Sequence, residues 1–141
     1  MGFTDLVLLQ EDAVLIDQCL FRFLEDTSVT IALLMSRDGH LICRQGDCSG
    51  IQMESLCALA VGSFVSSEAL ARLAGESTFN SIFHQGMHSN VYISLVGDEH
   101  LLLSLFDYHS SAPIVRLQAK VFSESVVLFF ERAYARTRKK T

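Results

Sequence analysis

The chain has 141 residues, half of them hydrophobic and 19% charged, with a net charge of −5 at pH 7. That length holds one domain with a sizeable core, and an acidic body argues against a nucleic-acid surface. The charged fraction lies below the usual figure of about 25%, so apolar surface is left over to meet something other than water.

Leu15, Cys19 and Phe23, with Ile16, Leu20 and Leu24 beside them, recur at helical spacing and predict a first helix over Gln10–Asp26. From Ser28 to Ser36 the pattern alternates, with Val29, Ile31, Leu33 and Met35 on one face. Asp38-Gly39 then turns the chain into a short strand, His40–Gln45. After a loop at Gly46–Gly50, Ile51–Ala74 has the length of a long helix closed by Gly75. Phe79–Gln85 and His88–Leu95 flank Gly86-Met87, read as a two-residue type II′ hairpin turn. Val96-Gly97-Asp98-Glu99 is a further turn, and the near-continuous apolar run His100–Asp107 suits a central strand covered on both faces. Ser110-Ser111-Ala112-Pro113 supplies hydroxyls and a first-turn proline for a last helix, with Leu117, Val121 and Leu128 expected on its buried stripe. The order α, β, β, α, β, β, β, α gives an α+β domain in which helices cover an antiparallel sheet in three layers. No linker or repeat interrupts residues 1–141, so a single domain is expected, with a basic, frayed tail from about residue 132 holding Arg132, Arg136, Arg138, Lys139 and Lys140.

On a helical wheel, Leu56, Leu59, Ala60, Ser63, Ser67 and Leu70 of the middle helix are expected to face the sheet. The opposite side carries Glu54, Glu68 and Arg72, yet Ala58, Val61 and Val65 lie between them, flanked by Ala69, Cys57 and Phe64. Gly62 sits mid-helix, where it costs about 1 kcal/mol against alanine and usually serves a close backbone approach. The helix therefore reads as a dimer or partner surface made of Glu54, Ala58, Val61, Gly62, Val65, Glu68, Ala69 and Arg72. Phe79, Ser81 and Phe83 alternate with Asn80, Ile82 and His84, so both faces carry bulk on a strand expected at a sheet edge, where unpaired backbone would join a second copy.

Catalysis has little support, because the chain lacks a P-loop, G-x-S-x-G and H-E-x-x-H. His84 and His88, and Asp107, His109 and Ser110, are neighbours in sequence and read as loop polar groups. Cys19, Cys43, Cys48 and Cys57 are irregularly spaced and read as reduced core thiols. His40, Cys43 and Cys48 lack the paired spacing of a zinc site, so no metal and no cofactor are expected. No run approaches the roughly 20 uninterrupted apolar residues of a membrane helix, and the start is not signal-like. The reading is a cytoplasmic protein without membrane insertion.

Four stretches resemble the roadblock (dynein light chain) family, most closely its bacterial branch of MglB-like partners of small Ras-like GTPases. They are Ala32–Gly39, Glu54–Glu76, Phe83–Gly86, and Leu101–Asp107 with the later Val115-Arg116-Leu117. The resemblance implies a five-stranded antiparallel sheet with one long helix on one face and two on the other. It also implies a homodimer whose edge strands join, and an MglA-like GTPase bound across paired middle helices, its own residues being repositioned for GTP hydrolysis. Phe64 and Val65 are bulkier than that branch usually has, and Arg72 is read as a surface group rather than an arginine finger. A structural adaptor without effect on a GTPase is the second reading. A small-molecule sensor is the third, weakened by the packed look of Leu56, Leu59, Leu70, Ser63 and Ser67.

Overall fold

The structure, a computed structural model, describes residues 10–139, with side chains to residue 136. Lys140 and the residues before Gln10 lie outside the described part. Helix α1 (Gln10–Thr27) buries Ile16, Leu20, Phe23 and Thr27, a stripe one residue away from the one led by Leu15, which is exposed. The Thr27 hydroxyl donates to the Phe23 carbonyl at 2.7 Å and accepts from Val29 N at 3.3 Å. Ser28 adopts φ 60. That residue ends the helix and turns the chain, so β1 begins at Ile31 rather than Ser28 and Val29 joins the α1 side of the core.

Strands β1 (Ile31–Ser36), β2 (Leu41–Gly46), β3 (Ser81–Gln85), β4 (Asn90–Val96) and β5 (His100–Phe106) form one antiparallel sheet in the order β2-β1-β5-β4-β3. Every residue of β1 is buried, and β5 is central, as its unbroken apolar run requires. At the first hairpin Gly39, at φ 88, donates its N–H to Ser36 O at 3.0 Å, a three-residue loop whose third residue is left-handed.

The second hairpin differs from the type II′ expectation. Gln85 pairs with Asn90, so the loop is residues 86–89, and Gly86 is not among the positive-φ glycines. Gly86 is required for a different reason: a Cβ there would lie 2.3 Å from the Ser89 carbonyl oxygen.

Helix α2 (Met53–Leu73) lies on one face of the sheet over Ile31, Leu33, Met35, Ile93, Leu101 and Leu103. Helices α1 and α3 (Ala112–Lys139) cover the other face over Ala32, Leu34, Tyr92, Val96, Leu102 and Phe106. This is the three-layer α+β arrangement that the element order predicts. Residues 132–139 continue α3, and Arg136 donates to Asp12 Oδ2 at 2.6 Å, tying the end of α3 to the start of α1. The basic end of the chain is thus helix as far as Lys139.

The buried stripe of α3 is also corrected. Val115, Ala119, Phe122, Val126, Phe130 and Ala133 face inward, whereas Leu117, Val121 and Leu128 are exposed. The helix is apolar on two sides, and the aromatic side decides which one turns in. Phe122 packs on Phe23 at 6.0 Å and Phe130 stacks on His100 at 3.8 Å.

Candidate interaction surface

Helix α2 is held by few contacts. Cys57, Ala60 and Phe64 are its buried residues, with Met53, Leu56 and Val61 half-buried around them. Phe64 packs on Phe79 at 5.2 Å and lies 5.5 Å beneath the Arg37 guanidinium. Arg37, in the β1–β2 turn, grips Glu68 with two parallel hydrogen bonds of 2.9 Å, and its Nε donates to the Asp98 carbonyl at 2.8 Å. One guanidinium therefore ties α2 to two hairpin turns. Its hydrogen bonds hold the Glu68 carboxyl below the usual carboxylate range. Gly75, at φ 92, closes the helix, and Glu76 N donates to Ala71 O at 2.9 Å.

The wheel is rotated by roughly a quarter turn from the expected setting. Leu59 and Leu70, assigned to the sheet, are 73% and 69% exposed, and Leu73 is 87% exposed. Cys57 and Phe64, assigned to the flanks of the interface, lie in the core. Burying the one aromatic ring of α2 and pairing Glu68 with Arg37 outweighs burying two leucines.

Of the expected interface residues, Ala58, Gly62, Val65 and Ala69 do point away from the sheet, and Glu54 and Arg72 are exposed. Val61 instead packs partly against the core and Glu68 is engaged by Arg37. The residues missed are Leu59, Leu70 and Leu73, legible only as apolar positions that could have faced either way. Among the described residues, nothing beyond the helix's own neighbouring backbone lies within 4 Å of a Cβ at Gly62, so that position faces open space. With 21 residues and a mean hydropathy of 1.4, α2 has the length and apolarity of a membrane-crossing segment, the one such helix among the described residues. Much of that apolarity is turned away from the subunit.

Strand β3 is at the edge, as expected, with β4 on one side and no strand on the other among the described residues. Phe79 precedes the strand rather than belonging to it. Ser81 and Phe83 lie in β3 toward the α1/α3 face. The Ser81 hydroxyl accepts from Tyr92 Oη at 3.1 Å, and Phe83 stacks on Phe106 at 6.1 Å. Phe79, just ahead of β3, packs on Phe64 and so sets the start of that strand against α2.

The polar groups near β5 form a turn rather than a relay. Asp107 Oδ1 accepts from His109 N and lies 2.9 Å from His109 Nδ1, while the buried Ser110 hydroxyl bonds to neither. His84 and His88 are exposed on β3 and its loop. A cleft of about 570 Å³ opens between α3 and the β3–β4 hairpin rather than under α2, where a sensor would hold its ligand.

The roadblock/LC7 domain model matches residues 15–106, spanning β1 to β5 and most of α1. The chain belongs to the roadblock/LC7 family. This roadblock domain is similar to the solved structure of MglB from Myxococcus xanthus, with 31% identity and a TM-score of 0.78 over 83% of this chain and 95% of that one. It is similar to the gliding protein MglB from Thermus thermophilus, at 28% identity and TM-score 0.82 over 91% and 97%. It is also similar to an MglB solved in a tetrameric arrangement, at 27% and 0.83 over 91% and 96%. The comparison with curated proteins finds no match. The roadblock family's MglB-like members are regulators rather than catalysts.

Proposed function

We propose that this roadblock domain acts in the cytoplasm as a homodimer that binds a small Ras-like, MglA-like GTPase and modulates its GTP hydrolysis without contributing a catalytic residue. The observation that carries the reading is the outward face of α2, where Leu59, Gly62, Leu70 and Leu73 lie bare, together with the open outer edge of β3. A face so apolar and contiguous is rare on a monomer. Two copies related by a twofold axis would pair β3 with β3 and bring their α2 helices together, leaving a shared platform for a partner. The likeness to MglB structures supports the GTPase as that partner.

A regulator must bind one nucleotide state in preference to the other, since equal affinity shifts nothing. The test is phosphate release from the cognate GTPase with wild-type and Arg72→Ala protein, alongside binding to its GDP and GTP forms. Acceleration that survives Arg72→Ala within a few-fold is expected, because an arginine finger is worth about a thousandfold or more. A collapse of the rate with binding intact would overturn the non-catalytic reading. Binding indifferent to nucleotide, without acceleration, would establish a structural adaptor instead.

A further inference from the structure

The outer side of α3 carries a second apolar row that the fold does not use. Ile114, Leu117, Val121 and Leu128 are 45%, 58%, 48% and 60% exposed, on the side of the helix opposite Val115, Phe122 and Phe130. The row runs about 21 Å along the helix. A helix apolar on both sides is normally covered on both. Since α3 and α2 lie on opposite faces of the sheet, whatever covers α3 does not compete with the α2 surface.

We propose that the cover is a second copy of α3, packed antiparallel about a twofold axis through Val121. Two features single out this occupant. Ile114 and Leu128 each stand seven residues from Val121, so antiparallel pairing sets Ile114 of one copy against Leu128 of the other and Val121 against itself. The second feature is charge. Arg116, Lys120 and Glu124 share one flank of α3, where all three line the cleft toward β3 and β4. In an antiparallel twofold pair like flanks meet. Glu124 then falls opposite position 118 of its partner, about 3 Å along the axis from both Arg116 and Lys120. Parallel pairing would instead set this flank against the opposite one, which carries Gln118 and Ser125, and the opposite charges would not meet. The flank is thus complementary to itself in one orientation, as an isologous interface requires. Combined with α2 pairing, which rests on the function proposed above, the assembly is a dimer of dimers.

Light scattering on the full chain at tens of micromolar tests this. A mass near four times the 15.7 kDa subunit is expected, falling to a dimer in Val121→Asp with an unchanged melting curve. A wild-type dimer that Val121→Asp converts to monomer would uphold α3 pairing while removing α2 pairing, so the two proposals fail separately. A wild-type mass that Val121→Asp leaves unchanged overturns α3 pairing. Orientation is read from charge variants. Glu124→Lys and Lys120→Glu should each weaken this association several-fold, and mixing the two variants should restore it. A mixture no stronger than its components overturns the antiparallel arrangement.

Discussion

On the α1/α3 face of the sheet, two helices interlock through Phe23, Phe122, Val126 and Phe130, and the Asp12–Arg136 pair ties their ends together. On the opposite face a single helix of 21 residues buries Cys57, Ala60 and Phe64, half-buries Met53, Leu56 and Val61, and is tied to the hairpin turns by one arginine. Within the subunit the first face is a closed core, and the second leaves more of its covering helix bare. The difference teaches that the subunit's own packing is concentrated on the α1/α3 side of the sheet, while α2 turns Leu59, Leu70 and Leu73 away from it.

The strongest way to break this comparison is Phe64→Ala. Truncating a buried phenylalanine costs about 3–5 kcal/mol, and here the loss should appear first in α2. Hydrogen exchange should show α2 amides losing protection while those of α3 keep theirs. Equal loss in both helices would mean that the faces are not separable.

The α1/α3 face carries its own sensitivity, to pH. His100 is 2% exposed, stacked on Phe130, and its Nε2 finds no hydrogen-bond partner among the described residues, so burial pushes its pKa down to about 4 from 6.5. The unfolded chain therefore binds this proton more readily than the folded one. Stability is complete above pH 6.5 and declines as pH falls toward 4, by about 3 kcal/mol. Denaturant melts between pH 7 and 4 should show that slope, and His100→Phe should flatten it.

Glu68 sharpens the other side. Its folded pKa is lowered, so its contribution is present above the ordinary carboxylate pKa and is lost as pH falls through the lower folded value. Glu68→Gln replaces a charge-assisted pair with a weaker one and should cost about 1–2 kcal/mol. Urea melts of wild type and variant should converge at acid pH. The smallest effect on the subunit belongs to Leu70→Asp. It should move the melting free energy by no more than about 0.5 kcal/mol while lowering the association of the α2 surface more than tenfold, read by sedimentation. Val61→Arg is the less clean variant, because Val61 packs partly against the core.

The strands and their order were legible because strand burial imposes an alternation, or an unbroken run, that leaves one reading. Ile31, Leu33 and Met35 could not face solvent, and His100–Phe106 could not lie at an edge. The helices were legible in extent but not in rotation. Both α2 and α3 are apolar on two sides, and what selects the inner side is a tertiary partner. Arg37 selects Glu68 from 31 residues away, and Phe23 and His100 select Phe122 and Phe130. The candidate surface inherited this ambiguity: Gly62 and Ala58 were placed outward, while Leu59, Leu70 and Leu73 were missed. Gly86 shows a similar limit, since sequence marks a glycine without saying whether a positive φ or a nearby carbonyl requires it.

Cys57 lies beneath α2, 2% exposed, and burial pushes its thiol up, away from the reactive thiolate. While α2 is seated, an alkylating reagent meets neither an accessible sulfur nor a charged one. Once the helix lifts, the sulfur becomes accessible and regains the small thiolate fraction of an ordinary cysteine. The chain therefore carries a chemical stopwatch at the foot of α2, whose labelling rate counts how often that helix leaves the sheet. A dimer or a bound partner that holds α2 down should slow the stopwatch without any group being added to the protein.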